Sequence, residues 1–213
     1  MFNHDSSLNP HISPEPVLIT SGAYVTDELL AEFGPIPPAF LPLANKRLYV
    51  HLYNTISNKT GNIYLSIPES FKIPEMDVDL LKKFQIKIIS VPDELSLGNS
   101  IVYALNMMML DTEHIRILHG DTLIYDLPFD HLDIFTAHDF DTSYTWAKFN
   151  RAQNGHVSSI FTHSLENVDT LPHEIVLSGY FAFSDVKLLI KSILKAKGNF
   201  IDGINAYNKV KPL

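Results

Sequence analysis

Apolar and β-branched residues fall along this chain in short runs, separated by segments with helical spacing. Residues 17–20, 62–67, 86–91 and 115–118 are rich in Val, Ile and Leu, are bounded by turn formers, and read as strands. Between them, residues 46–57, 78–84 and 100–110 space their apolar side chains three and four apart, which predicts amphipathic helices. Strands alternating with helices in this way predict βαβ units around a parallel sheet. Beyond residue 121 the texture changes. Residues 133–138, 143–150, 156–163 and 176–184 are rich in aromatic and β-branched side chains and predict strands of a mixed sheet. Two helical stretches, 185–195 and 200–209, close the chain. The expected fold class is α/β, with a mainly parallel central sheet flanked by helices and a mixed C-terminal part. No internal repeat or low-complexity tract interrupts it.

The first sixteen residues carry three prolines and no periodicity, so a flexible leader over 1–16 is expected ahead of one domain over 17–213. Ligands of open parallel sheets lie outside the carboxyl ends of the strands. Three loops are therefore the candidate site: 21–38, 92–99 and 119–122.

Composition narrows the chemistry. The hydrophobic share of 46% with 19% charged residues is that of a globular chain. Net charge of −8 leaves no broad basic surface for a nucleic-acid backbone or an anionic membrane. An acidic protein that handles phosphates has to concentrate positive charge locally or recruit a divalent cation. The absence of cysteine removes disulfides, thiolate nucleophiles and zinc-thiolate sites. With no signal-peptide pattern and no apolar run long enough for a bilayer, a cytoplasmic protein is expected.

His119-Gly120-Asp121 follows the apolar run at 115–118, so its carboxylate emerges at a strand end, where it is either a Mg²⁺ ligand or the side chain of an Asx turn. Lys46 and Arg47 stand at the head of a predicted helix, an end that favours anions; they are either phosphate contacts or a solvated basic pair. Ser96, Leu97, Gly98 and Asn99 form a small polar turn before another helix, suited to an N-cap and, through its glycine, to a planar base. His131, Asp133, His138, Asp139 and Asp141 have the composition of a metal cluster, but strand and turn spacing scatters them over both faces. Neither a Gly-x-x-x-x-Gly-Lys-[Ser/Thr] phosphate loop nor a Gly-x-Ser-x-Gly elbow is present, which excludes those NTPase and hydrolase classes.

The order of these signals is more informative than any one of them. A first strand ending in a small-residue turn, a Pro-x-x-Leu-Pro-x-x-x-Lys segment from Pro38 to Lys46, the Leu97-Gly98 turn, a strand ending in Gly120-Asp121, and Gly179-Tyr180-Phe181-Ala182-Phe183 together resemble the sugar-phosphate nucleotidyltransferases. Among these it is most similar to the variants of bacterial capsule and surface-polysaccharide synthesis. The resemblance implies a Rossmann-like nucleotide-diphospho-sugar transferase fold, an NTP and a sugar or polyol phosphate as substrates, and Mg²⁺ or Mn²⁺ as cofactor. It implies metal on Asp121, with Asp202 the candidate for a second metal-binding aspartate. Lys46 and Arg47 are then the catalytic cations. Ser21, Gly22, Ala23, Ser96, Leu97, Gly98, Asn99 and Gly120 line the nucleotide, and Gly179 and Tyr180 the second substrate.

The chain departs from the family's pattern at charged positions. Where Gly-x-Gly-x-Arg is usual it has Gly22-Ala23-Tyr24-Val25-Thr26, so Tyr24 replaces a glycine and Thr26 the arginine. Ala39 stands at a lysine position, and Thr162 and His163 at a Glu-Lys pair. The family's usual C-terminal segment is not recognisable, so a chain truncated there or one that works with a missing C-terminal partner domain is expected; a homo-oligomer is the other partner expected. Two other functions stay open at this point: a catalytically inactive nucleotide- or sugar-phosphate-binding module, and a glycosyltransferase using Asp139-Phe140-Asp141 as its metal motif.

Overall fold

A computed structural model describes residues 15–108, 112–140, 147–153, 155–162 and 174–213. In chain order the elements are β1 (Val17–Thr20), α1 (Asp27–Phe33), a 3-10 turn (Pro38–Phe40), β2 (Pro42–Leu43), β3 (Lys46–Arg47), α2 (Leu48–Ile56), β4 (Ile63–Pro68), α3 (Glu75–Lys83), β5 (Lys87–Val91) and α4 (Leu97–Met107). They continue with β6 (Ile115–His119), β7 (Ile134–Phe140), β8 (Ala147–Arg151), β9 (Val157–Thr162), β10 (Glu174–Phe183), α5 (Val186–Lys195) and α6 (Phe200–Asn208).

β5, β4, β1 and β6 form a parallel half-sheet in that order, and β10 continues it antiparallel to β6. Phe181 pairs with both Ile117 and Phe135, while Val176 pairs with both His138 and Lys148. β10 is thus bordered by β7 on one edge and on the other first by β8, then by β6. The register shift between Leu177 and Phe181 lets one strand serve both, and Gly179 supplies the left-handed backbone there, at φ 88°.

Strand alternation sorts the core into two layers. Leu18, Ile117 and Phe181 face α4, α5 and α6, whereas Ile19, Leu65 and Leu118 face α2 and α3. Each such side chain, when fully buried, contributes about 1.5–3 kcal/mol. A helix–sheet–helix sandwich results, as the βαβ pattern predicts.

Arg116 interrupts the apolar run of β6 and is buried all the same. Its guanidinium pairs with Glu15 at 2.6 Å and donates to the carbonyls of Phe129 and His131 and to the Tyr180 hydroxyl, at 2.8 Å for the last. It also lies 4.7 Å from the Phe129 ring centroid. A buried guanidinium is tolerable only when its donors are met in this way. Here it ties the 129–131 loop and the expected leader's Glu15 to the sheet, and Pro16 joins them by accepting from Arg116 N at 3.1 Å.

Several predicted boundaries move. The helix expected over 46–57 starts at Leu48, because Ala44 and Asn45 take left-handed φ of 46° and 64° and turn Lys46 and Arg47 back into a hairpin with β2. The helices expected at 78 and 100 start earlier, behind Pro74 and Ser96. α1 lies inside a predicted loop and buries none of its residues. Residues 109–110, 143–146 and 163, which belong to predicted elements, lie outside the described residues.

Candidate active site at the ends of β1 and β6

The chain leaves β1 for β4 and β5 on one side and then returns to β6 on the other, so strand order reverses between β1 and β6. In open α/β sheets this crevice is where ligands bind. Its two walls are the residues after β1 and after β6, and they touch. Gly120 N donates to the Thr20 carbonyl at 2.8 Å. A Cβ at Gly120 would stand 2.7 Å from that same oxygen and 3.0 Å from Ser21 Cβ, so no larger residue fits without displacing backbone.

Ser21 works as a bracket and is buried. Its N–H donates to Ser66 Oγ of β4 at 3.2 Å, and its Oγ accepts from Ala39 N at 3.0 Å. Gly22 and Ala23, half-buried and exposed, are the parts of this loop that face outward. Gly22 is pinned from behind, since a Cβ there would come within 2.5 Å of Ser100 Oγ and 2.7 Å of Val91. That contact brings the N-terminal turn of α4 to the crevice. Tyr24 folds over the end of β4, with its hydroxyl 2.7 Å from Ser70 Oγ and its ring edge-on to Phe71.

Asp121 is exposed at the end of β6, and its Oδ1 accepts from Thr122 Oγ1 at 3.0 Å. His119 lies below it, with its ring against Phe181 and Phe200 and its Nε2 buried without a hydrogen-bond partner among the described residues. Burial holds this imidazole below its ordinary value of 6.5 against the pull of the Asp121 carboxylate. Gly179 closes the same corner, where a Cβ would meet Thr122 Oγ1 at 2.9 Å and His119 at 3.1 Å.

The Ser96 turn caps α4, with Ser96 Oγ accepting from Asn99 N and donating to the Gly198 carbonyl at 2.9 Å. Gly98 packs on that carbonyl, and Gly198 on Asn99, so both glycines serve the seam between α4 and the α5–α6 turn. Leu97 is exposed beside them.

Four expected residues lie elsewhere. Arg47 Nε binds Asp77 Oδ2 at 3.3 Å and its Nη1 donates to the Phe40 carbonyl, and together with Lys46 it borders a cavity between α2 and α3 that contains no residue of the β1 or β6 loops. Tyr180 is wholly buried, with its hydroxyl held by Arg116. Asp202 is exposed on α6, two residues and so about 200° around the helix from Phe200, which is the residue facing His119. Sequence reasoning also missed Ser66. Ser66 left a signal, as a small polar residue among the bulky side chains of the fully buried β4.

The metal-cluster composition around 131–141 does not assemble: among the described residues no three His, Asp or Glu converge. Asp133 instead accepts from Ser184 N and Oγ and from the Tyr207 hydroxyl. Asp139 is on β7, and Asp141 lies outside the described residues.

No protein-family model matches the chain, and no curated protein sequence does. Solved structures do match. UDP-glucose pyrophosphorylase complexed with UDP-glucose superposes at TM-score 0.67 and 12% identity, covering 94% of this chain and 89% of that one. The nucleoside-diphosphate-sugar pyrophosphorylase from Vibrio cholerae gives 0.66 at 11% identity, with 92% and 88% covered. The CTP:phosphocholine cytidylyltransferase from Streptococcus pneumoniae gives 0.64 at 14%, with 92% and 84% covered. At these identities the likeness is one of fold, and the chain adopts the sugar-phosphate nucleotidyltransferase fold.

Proposed function

We propose that this protein transfers a nucleoside monophosphate from an NTP to a sugar or polyol phosphate, with release of pyrophosphate, in the cytoplasmic synthesis of a capsule or surface polysaccharide. The observation that carries the reading is the crevice where β1 and β6 diverge, walled by Gly22 and Gly120 and bearing the exposed carboxylate of Asp121. The solved structures of the same fold, which include a pyrophosphorylase and a cytidylyltransferase, support an enzyme reading; no described helix is long and apolar enough to cross a membrane.

Gly22 and Ala23 offer backbone N–H groups to the triphosphate, and the α4 N-terminus behind Gly22 adds the partial positive charge of its unpaired amides. The Ser96–Asn99 turn lies on the base side and Gly179 on the acceptor side. Asp121 fits Mg²⁺ or Mn²⁺: one oxygen is steadied by Thr122, and a single carboxylate suffices for an ion that arrives on the triphosphate and keeps several waters. When bound, the ion offsets phosphate charge as pyrophosphate leaves. The protein's own part is to hold the two substrates in line, which in this chemistry is most of the catalysis.

The competing reading is a binding module without turnover. It is favoured by Ala39, which is fully buried where the family carries a lysine, and by Thr26 at the arginine position. A lost cation at a phosphoryl transition state costs on the order of 10³-fold in rate. Pyrophosphate release from a panel of NTPs and sugar phosphates with Mg²⁺ separates the two. Release abolished in Asp121→Ala supports the transferase. NTP binding with no release from any pair sinks it in favour of the module. Association with a second copy of the chain is part of this proposal, tested by whether the rate per chain rises with protein concentration.

A further inference from the structure

Away from this crevice, a cavity of about 660 Å³ lies between α2 and α3 on the other side of the sheet from α4. That volume is within the range of small-molecule sites. Its mouth is basic. Arg47 is held rigidly, by Asp77 at Nε and the Phe40 carbonyl at Nη1, and Asp77 is itself buried and accepts the Tyr49 hydroxyl at 2.8 Å. Lys46 beside it is exposed, on the hairpin that the left-handed Ala44 and Asn45 create. Two cations thus face one carboxylate whose oxygens are both engaged, on a chain of net charge −8. The inner wall is apolar, formed by Val50, Leu80 and Phe84, with Phe84 stacked on Tyr53 at 4.1 Å.

We propose that this cavity binds a small amphipathic anion, with its phosphate or carboxylate at Lys46 and Arg47 and a compact apolar body against Val50, Leu80 and Phe84. A preorganised guanidinium beside a mobile ammonium suits an anionic oxygen group, and the apolar wall excludes a bare inorganic ion as the best ligand. The site is separate from the proposed nucleotide crevice and makes the chain able to respond to a second metabolite of this class.

Calorimetric titration with 1-naphthyl phosphate and 1-naphthoate tests it, alongside inorganic phosphate and 1-naphthol as the separate halves. Either naphthyl anion should bind with a dissociation constant of about 1 mM or tighter, and more tightly than both halves. Lys46→Glu, an exposed change checked by its melting temperature, should weaken binding about tenfold or more. Asp121→Ala should leave it unchanged. Absence of binding by both naphthyl anions, equal binding in Lys46→Glu, or loss in Asp121→Ala overturns the proposal; the relative affinity of the two anions tells phosphate from carboxylate.

Discussion

Gly120→Ala is the sharpest test of how the crevice is built. Gly120 is not in a left-handed conformation, so alanine meets no backbone penalty and even gains about 0.4–1 kcal/mol by restricting the unfolded chain. What it meets is the Thr20 carbonyl oxygen at 2.7 Å, Ser21 Cβ at 3.0 Å and Ala39 Cβ at 3.3 Å. The first of these has to retreat by about 0.7 Å to reach ordinary contact, and it is backbone within the central strand pair. That same oxygen accepts the Gly120 N–H at 2.8 Å, so the retreat also strains a hydrogen bond worth about 1 kcal/mol. Overpacking of about 1–3 kcal/mol plus the weakened bond, less the entropic gain, leaves about 1–3 kcal/mol of destabilisation. For a domain of this size the melting temperature falls by about 2–4 °C per kcal/mol, or about 2–12 °C in all. Gly61→Ala, where a Cβ meets nothing within 4 Å, is the control. Equal melting temperatures for the two variants would show that the strand ends separate freely and that the crevice is not the rigid cradle described here.

Three further outcomes are expected. Arg116→Met removes the ion pair with Glu15 and the donors to the Phe129 and His131 carbonyls, and should cost about 3–5 kcal/mol in urea unfolding; a loss below about 1 kcal/mol would refute the clamp. Burial raises the Asp133 carboxyl, but hydrogen bonds from Ser184 and Tyr207, with Lys211 nearby, outweigh it and hold the group below its ordinary 3.8. Its stabilisation is therefore complete above the unfolded value and lost as pH falls through the folded one, so the stability gap between wild type and Asp133→Asn should narrow as pH falls below the ordinary 3.8. A gap that stays constant there contradicts the assignment. In thermal-shift assays Asp121→Ala, an exposed change, should keep the wild-type melting temperature without ligand yet lose the Mg²⁺-dependent stabilisation by NTP; retention of the full shift removes Asp121 from the site.

Hydrophobic patterning made the parallel half of the sheet legible because β1, β4 and β6 are buried on both faces and so read as apolar runs, broken in β6 by Arg116 and in β4 by Ser66. The glycines were legible for a related reason: residues after buried strands approach one another closely, and Gly22 and Gly120 lie where they do. α1 was not legible, since Asp27-Glu28-Leu29-Leu30-Ala31-Glu32-Phe33 packs no face against the core and leaves Leu29, Leu30 and Phe33 exposed. Lys46 and Arg47 were misassigned because adjacency to a helical pattern does not reveal a turn. Ala44 carries no glycine-like signature for its positive φ, and nothing local says that Asp77, thirty residues on, is buried and waiting for Arg47. Tyr180 follows Gly179 by one residue, and in a strand one residue is enough to move a side chain to the opposite face.

The departures from the family's charged positions and the packing of the β1 loop are one structural fact. Ala39 donates its N–H to Ser21 Oγ and is fully buried beside Gly120, so that position braces the two walls of the crevice. Tyr24 uses its ring and hydroxyl on Phe71 and Ser70, covering the end of β4 where a glycine would leave the backbone open. Arg47 is ion-paired with Asp77, and its guanidinium faces the other cavity rather than the crevice. Under the proposed function, positive potential at the crevice would rest on the amides at the start of α4 and on an ion held by Asp121, on a chain whose net charge repels phosphates, so metal and nucleotide would bind together. The contacts at Gly22 and Gly120 set the walls of the crevice, and on the proposed reading the charge missing from the replaced positions would be brought by the ligand.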